Sequence, residues 1–153
     1  QIANDNGGGQ VVASGSKAAV DKAIEIAKGK GAKRAMLLAV SAPFHCALMQ
    51  PAADAMAEAL AATNIVAPKV PVVANVVASA VSDPAQIRDL LVKQVTGTVR
   101  WRECVGYMAA NGCDRFVELG AGKVLTGLLK RLADGATGMS VGAPADVEAY
   151  KSA

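Results

Sequence analysis

Amphipathic stretches alternate along this chain with short apolar runs, and Gly or Pro marks nearly every boundary between them. Gln10 to Ala13 has the length and composition of a short strand, ended by Ser14-Gly15. Ser16 to Lys28 then has a helical period, with Val20, Ala23, Ile24 and Ala27 on one face and Lys, Asp and Glu opposite. Gly29 and Gly31 stop that helix, and Arg34 to Val40 is an apolar run of strand length. Residues 1–41 therefore predict a β-α-β pattern. Past Pro43, a helix is expected over Ala47 to Ala62, with Met49, Ala53, Met56 and Leu60 in register. Pro68 and Pro71 bracket extended chain, and Val72 to Val77 is a buried-strand candidate. Ser82-Asp83-Pro84 opens a helix that carries Ile87, Leu90, Leu91 and Val95 and ends at Gly97. Trp101 to Ala110 is another, closed by Asn111-Gly112. Phe116 to Leu119 is a short strand, and Gly120-Ala121-Gly122 leads into a helix bearing Val124, Leu125, Leu128, Leu129 and Leu132. The tail beyond is weakly patterned. Strands alternating with helices predict an α/β fold with a largely parallel sheet.

A chain of 153 residues is room for one ordinary domain. Hydrophobic residues at 52% against 19% charged exclude wholesale disorder, and 3% aromatics require an aliphatic core. No apolar run approaches the length needed to span a bilayer. Gln1 to Gln10 is polar and Gly-rich, so no signal peptide is expected there. With no initiator Met, the chain is expected to be a piece of something longer. The excess of three positive charges lies wholly in residues 1–41, which hold six basic and three acidic groups. Lys28, Lys30, Lys33 and Arg34 are four of the six basic groups. Two readings fit: a solvated helix end with cations suited to a helix C-terminus, or a small patch for phosphates or an acidic partner. Nucleic acid is not an expected partner, because no aromatics interleave with the basic residues.

Cys46, Cys104 and Cys113 form no CxxC pair and leave an odd thiol, which suits a reducing cytoplasm better than a disulfide framework. A zinc set of these with His45 has the wrong spacing, because adjacent His45 and Cys46 do not comfortably serve one tetrahedral site with two distant singletons. Gly120-Ala121-Gly122-Lys123 fits neither the P-loop nor GxGxxG, since Leu125 stands where the third glycine belongs, and reads as a tight strand-to-helix turn. Gly138-Met139-Ser140-Val141-Gly142 matches GxSxG, but a nucleophile elbow needs a helix straight after the serine. Ala143-Pro144 reads as extended chain there, and no histidine follows. His45, the single histidine, lies at a Pro-bent junction before a helix, a place where α/β sites form. On spacing alone it is open between structural and catalytic roles.

The stretch Val40-Ser41-Ala42-Pro43-Phe44-His45-Cys46-Ala47-Leu48-Met49 resembles the histidine motif of the bacterial malonyl-CoA:acyl-carrier-protein transacylases. Four further stretches are similar to the same family, in order. They are Ala3-Asn4-Asp5-Asn6 with Gln10-Val11-Val12, then Gly31-Ala32-Lys33-Arg34-Ala35, then Leu91-Val92-Lys93-Gln94 with Val99-Arg100-Trp101, and last Glu118-Leu119-Gly120-Ala121-Gly122-Lys123-Val124-Leu125-Thr126-Gly127-Leu128. The family's GHSxGE serine and its malonyl-pairing arginine have no counterpart here, so the resemblance implies the C-terminal half of such an enzyme. Gly7-Gly8-Gly9, Thr98 and Ala121 depart from the family's pattern at turns. The implied architecture is an α/β-hydrolase-like large domain with an inserted ferredoxin-like small subdomain. Residues 1–41 would be the C-terminal part of the insert and 42–153 the C-terminal part of the large domain.

The resemblance implies that His45 is the general base and acid, oriented by a backbone carbonyl at Gln94 where hydrolases use Asp. Phe44 would leave little room for an α-methyl branch and so favour malonyl. Asn4 and Asn6 would lie near the cleft, and Gln10, Lys33 and Arg34 would meet coenzyme A or the carrier's phosphopantetheine arm. The implied reaction is ping-pong transfer of malonyl from coenzyme A to acyl carrier protein in fatty-acid synthesis. It requires no metal or redox cofactor, no membrane and no nucleic acid, and is carried out in the cytoplasm by a monomer at full length. The half-length chain would not react alone. Two other readings stand beside it: an acyltransferase domain of a polyketide or fatty-acid megasynthase, and a non-catalytic carrier-protein docking module.

Overall fold

In the computed structural model, which describes residues 1–152, the chain begins with a hairpin. Its first strand, β1 (Ile2–Asp5), pairs antiparallel with β2 (Val11–Ala13). The strand expected over Gln10–Ala13 is present, and a second, unexpected one precedes it. Gly7, Gly8 and Gly9 in the connecting turn have φ of +72°, +58° and +78°, a region that residues with a Cβ enter only at a cost. Helix α1 (Lys17–Gly29) follows, capped by Ser16, whose hydroxyl accepts the Ala19 N–H at 3.4 Å. Arg34–Val40 departs from expectation. It pairs with no strand among the described residues, and Met36, Leu37, Leu38 and Val40 are each more than half exposed. An apolar run becomes a strand only beside a neighbour that offers N–H and C=O groups, and no segment here does so. Residues 1–41 therefore build β-β-α plus an unpaired run, not β-α-β.

A 3-10 turn (Ala47–Met49) and α2 (Gln50–Ala61) together cover the next expected helix. Ala53 is buried on it, whereas Met56 is exposed. The strand expected over Val72–Val77 is shorter and less buried: β3 (Val72–Ala74) turns through Asn75–Ala78 into β4 (Ser79–Val81), an antiparallel pair. Ala78 adopts φ +53° in that turn and donates its N–H to the Ala74 carbonyl at 2.8 Å. Helix α3 (Pro84–Thr96) packs along α2 and is capped by Asp83, whose carboxylate accepts the Gln86 N–H at 2.7 Å. Helix α4 (Trp101–Ala110) has its expected bounds. Strand β5 (Arg115–Leu119), helix α5 (Val124–Leu129), β6 (Thr137–Val141) and α6 (Pro144–Lys151) complete the chain. Leu132 lies beyond α5, and the weakly patterned tail holds an unforeseen strand and helix.

The α/β expectation holds, but the sheet is not largely parallel. Three two-stranded pairs are present among the described residues, and of these β5–β6 alone is parallel. The main core gathers Val105, Leu129 and Ala133 with Trp101, Met108, Phe116 and Leu132. No helix among the described residues is long and apolar enough to cross a membrane. The N-terminal hairpin is tied to the segment after α3: Val99, just ahead of α4, makes a parallel bridge with Asn4 in β1. Its N–H donates to the Ala3 carbonyl at 2.8 Å and its carbonyl accepts the Asp5 N–H at 2.9 Å.

Candidate active site

His45 is placed by two neighbours in the chain. Pro43 bends the backbone ahead of it, and the Cys46 carbonyl opens the 3-10 turn by accepting the Met49 N–H at 2.9 Å. The Cys46 thiol, buried, donates to the Pro43 carbonyl at 3.1 Å and ties the bend together. Between them His45 adopts φ +59°, a left-handed conformation that is uncommon for a residue with a Cβ. Its ring is half-buried and meets the end of α3.

That end supplies an acceptor. The last carbonyls of a helix lack helical donors, and Gly97, at ψ 151°, takes the chain out of α3 before residue 98 can bond Gln94. The Gln94 carbonyl instead lies 3.0 Å from Nδ1 of His45. A carbonyl only accepts, so Nδ1 carries the hydrogen and a neutral ring keeps the Nε2 lone pair free. This pair is the arrangement a general base needs: one nitrogen tethered, the other available to take a proton.

The remaining expected site residues divide. Asn4 is half-buried in β1, one residue from each of the bonds to Val99, so it shares a strand ladder with the segment that follows Gln94. Asn6 begins the glycine turn and donates its N–H to the Gln10 carbonyl at 3.0 Å. The exposed Gln10 side chain accepts from Arg131 Nη2 at 3.2 Å rather than meeting Lys33 or Arg34. Lys33 and Arg34 are exposed, with the Arg34 Nε 3.1 Å from the Met36 sulfur. Phe44 is 45% exposed beside His45. The structure thus brings His45 to Gln94, and Asn4 to the same segment, while the basic pair stands apart.

Sequence reasoning missed several supports. Asp5 accepts two bonds from the Arg102 guanidinium, at 2.7 and 2.9 Å, which tie the hairpin to α4. The Arg102 bonds hold the Asp5 carboxyl below its usual range, helped by the Gly7 N–H. Thr98 donates its hydroxyl to the Ile2 carbonyl at 2.6 Å. The Glu118 carboxylate accepts the Thr126 and Leu125 N–H groups at 2.8 and 3.1 Å and the Thr126 hydroxyl at 2.7 Å. These bonds, the Thr126 N–H foremost, lower the Glu118 pKa. Apart from the Gly7–Asp5 bond, two positions apart, these pairings span 7 to 97 positions, and no local pattern announces them.

Ser140, in GxSxG, sits within β6 rather than on a turn, and its Oγ lies 2.9 Å from Thr126 Oγ1. The expectation that it is no elbow stands, but one reason given for it falls: Pro144 begins α6 and is not extended chain. Among the described residues, no three His, Cys, Asp or Glu side chains gather as a metal set.

The acyl transferase domain family model matches residues 1–145. The chain is 49% identical over 146 residues to the malonyl CoA-acyl carrier protein transacylase of Salmonella typhimurium, which covers 95% of this chain and 47% of that protein. The crystal structure of an acyl-carrier-protein-S-malonyltransferase from Bartonella henselae superposes with a TM-score of 0.93 at 56% identity, covering 98% of this chain and 48% of that one. A malonyl-transacylase in complex with a type II PKS acyl-carrier protein also matches with a TM-score of 0.93, at 41% identity, covering 99% of this chain and 50% of that one. The chain spans about half the length of the relatives it matches. A family match over nearly the whole chain, together with the fold and the tethered histidine, leads to one conclusion: the chain belongs to the acyl transferase domain family.

Proposed function

We propose that this chain supplies the histidine half of an enzyme that moves a malonyl group from coenzyme A to the phosphopantetheine thiol of acyl carrier protein. The observation that carries the reading is the His45 Nδ1–Gln94 carbonyl pair at 3.0 Å. It leaves Nε2 to take a proton from a serine hydroxyl contributed from outside residues 1–153. That serine oxygen attacks the malonyl thioester carbon, and the C–S bond breaks. The imidazolium returns the proton to the leaving sulfur, so coenzyme A departs as a thiol. The carrier thiol then gives its proton to His45 and attacks the malonyl ester, and the serine hydroxyl is restored. The proton and acyl group are both accounted for, so the cycle needs no metal and no redox cofactor.

Around that pair, Phe44 crowds the position where an α-methyl branch would sit, favouring malonyl. Asn4, Asn6 and Gln10 line the approach, and Lys33 and Arg34 attract coenzyme A phosphates or an acidic carrier. We read residues 1–41 as the end of a ferredoxin-like small subdomain and 42–153 as the return into an α/β-hydrolase-like large domain. The full-length enzyme is monomeric and cytoplasmic in this reading.

The test is a full-length enzyme carrying this segment, assayed with malonyl-CoA and holo-carrier protein. His45→Ala should lower kcat at least ~100-fold, the usual scale of general-base catalysis. Lys33→Ala with Arg34→Ala should raise KM and leave kcat within about twofold, an effect that fades as salt screens exposed charge. Undiminished transfer by His45→Ala would refute the reading.

A further inference from the structure

We infer that the side chain of Gln94, separately from its backbone carbonyl, is a positioning element for His45, acting by holding the Gln94–Gly97 turn closed. This rests on the reading of His45 as the base, and it assigns a second task to a residue otherwise valued for its main chain.

The Gln94 carbonyl is available because α3 ends before its helical donor is reached. In a continuing helix it would accept the N–H of Thr98. The chain instead leaves the helix at Gly97, with the Gly97 N–H still bonded to the Lys93 carbonyl at 2.9 Å. Beyond that point Thr98 and Val99 bond to β1 through the Ile2 and Ala3 carbonyls. Turning the chain outward also turns the Gly97 carbonyl away from helical donors. The Gln94 amide supplies the missing one: its Nε2 donates to the Gly97 carbonyl at 2.9 Å. One residue therefore closes the turn with its side chain and presents the carbonyl that the turn exposes.

The turn has little slack elsewhere. A Cβ built on Gly97 would lie 2.8 Å from the Lys93 carbonyl oxygen and 2.8 Å from a Val76 methyl, so the turn is packed against both the helix end and the β3–β4 loop. The Arg100 N–H reaches the Asn75 carbonyl at 3.2 Å and fixes its far side. With Gly97 held on those sides, the Gln94 amide is what ties residue 94 to it; its loss would leave the Gly97 carbonyl without its donor and free residue 94, at the end of α3, to shift. The Gln94 carbonyl would then move relative to the His45 ring. Misplacement of a base by about an ångström costs on the order of 100-fold in rate, so a partial relaxation is visible in turnover.

The residue type fits the task. The glutamine amide has a donor at the required reach. Glutamate has the same shape but presents only acceptors when ionised, which would face the Gly97 oxygen with like charge. Methionine has a similar length and no donor.

The experiment compares wild-type, Gln94→Met and Gln94→Glu in the full-length enzyme. It reads kcat and KM for malonyl-CoA, and the tautomer of His45 by long-range proton–nitrogen correlation, with the signal assigned by its loss in His45→Gln. The expected result for Gln94→Met is a fall in kcat of about 10-fold, with KM within about twofold. The Nδ1–H tautomer should give way to a mixture. A merely structural amide would lower the melting temperature and leave the tautomer alone. Retention of the Nδ1–H tautomer, or an unchanged kcat, would therefore overturn the inference. Should Gln94→Met not fold, Gln94→Glu reads the same quantities. The two readings fail separately. Full activity of His45→Ala sinks the proposed function, whereas an inactive His45→Ala beside an unperturbed tautomer in the Gln94 variants sinks only this one.

Discussion

His45 and Glu118 each take their chemistry from backbone groups of another element, a carbonyl at the end of α3 for the first and N–H groups of α5 for the second. His45 stands out as the single histidine in a distinctive motif. Its left-handed backbone could not be foreseen, because φ is set by the Pro43 bend and the Cys46 turn together. Gln94 was singled out through the resemblance, and its carbonyl lies 3.0 Å from Nδ1 of His45. Glu118 was legible only as part of a motif, and its chemistry depends on α5 folding back to offer the Leu125 and Thr126 donors. Those donors depress its pKa, so Glu118 contributes stability that is fully present above the ordinary glutamate value of about 4.3 and is lost as pH falls through the lower folded value. A glutamine in its place would not titrate, and one amide oxygen cannot replace two carboxylate oxygens. In urea titrations, wild-type should therefore exceed Glu118→Gln by a margin that is constant above about pH 6 and shrinks below about pH 4. A margin independent of pH would mean that the ionised carboxylate is not what holds α5.

At the scale of elements, helices with local signals were the legible ones. Ser16 and Asp83 cap where a short polar residue precedes an amphipathic run, and Asn111-Gly112 closes α4. Strands were legible in part: those expected at Gln10–Ala13 and Phe116–Leu119 are present as β2 and β5, whereas β1, β4 and β6 were not foreseen, because pairing is decided far away. Strand β6 contains Gly138 and Ser140 and has little strand propensity of its own, yet it forms in parallel register with β5. Arg34–Val40 is the reverse case, a continuous apolar run of strand length with no ladder partner among the described residues. The β3–β4 turn offers a test of local strain. Ala78 at φ +53° carries a Cβ penalty that glycine lacks. Ala78→Gly should stabilise the fold by about 0.5–1 kcal/mol after the greater unfolded-state entropy of glycine is counted. Gly97→Ala, pressed against Lys93 and Val76, should destabilise it. Denaturant midpoints for the two variants should move in opposite directions, and a shared direction would contradict the turn geometry.

The whole molecule exposes 9944 Å². A compact monomer of 15.4 kDa exposes roughly 7,200 Å², so this chain shows about 2,700 Å² more. Val66, Val70, Leu119 and Val124 are each at least 69% exposed, an apolar surface consistent with a chain that spans half the length of its relatives. No single residue announces this excess; it is a property of the sum, which is why periodicity reads as an ordinary domain. The unpaired run has a further consequence. Ala35-Met36-Leu37-Leu38-Ala39-Val40 carries no charge and no proline, and its backbone groups face no ladder partner. Identical runs from separate molecules can satisfy one another in register, which is the geometry of cross-β growth. In concentrated solutions of this chain, thioflavin fluorescence and light scattering should rise with time. Leu38→Lys should suppress both, because stacked like charges oppose in-register pairing. Equal growth in the variant would place the adhesive surface elsewhere. The segment that the fold leaves without a neighbour is thus the one most able to recruit copies of itself, and storage concentration becomes a structural variable for this protein.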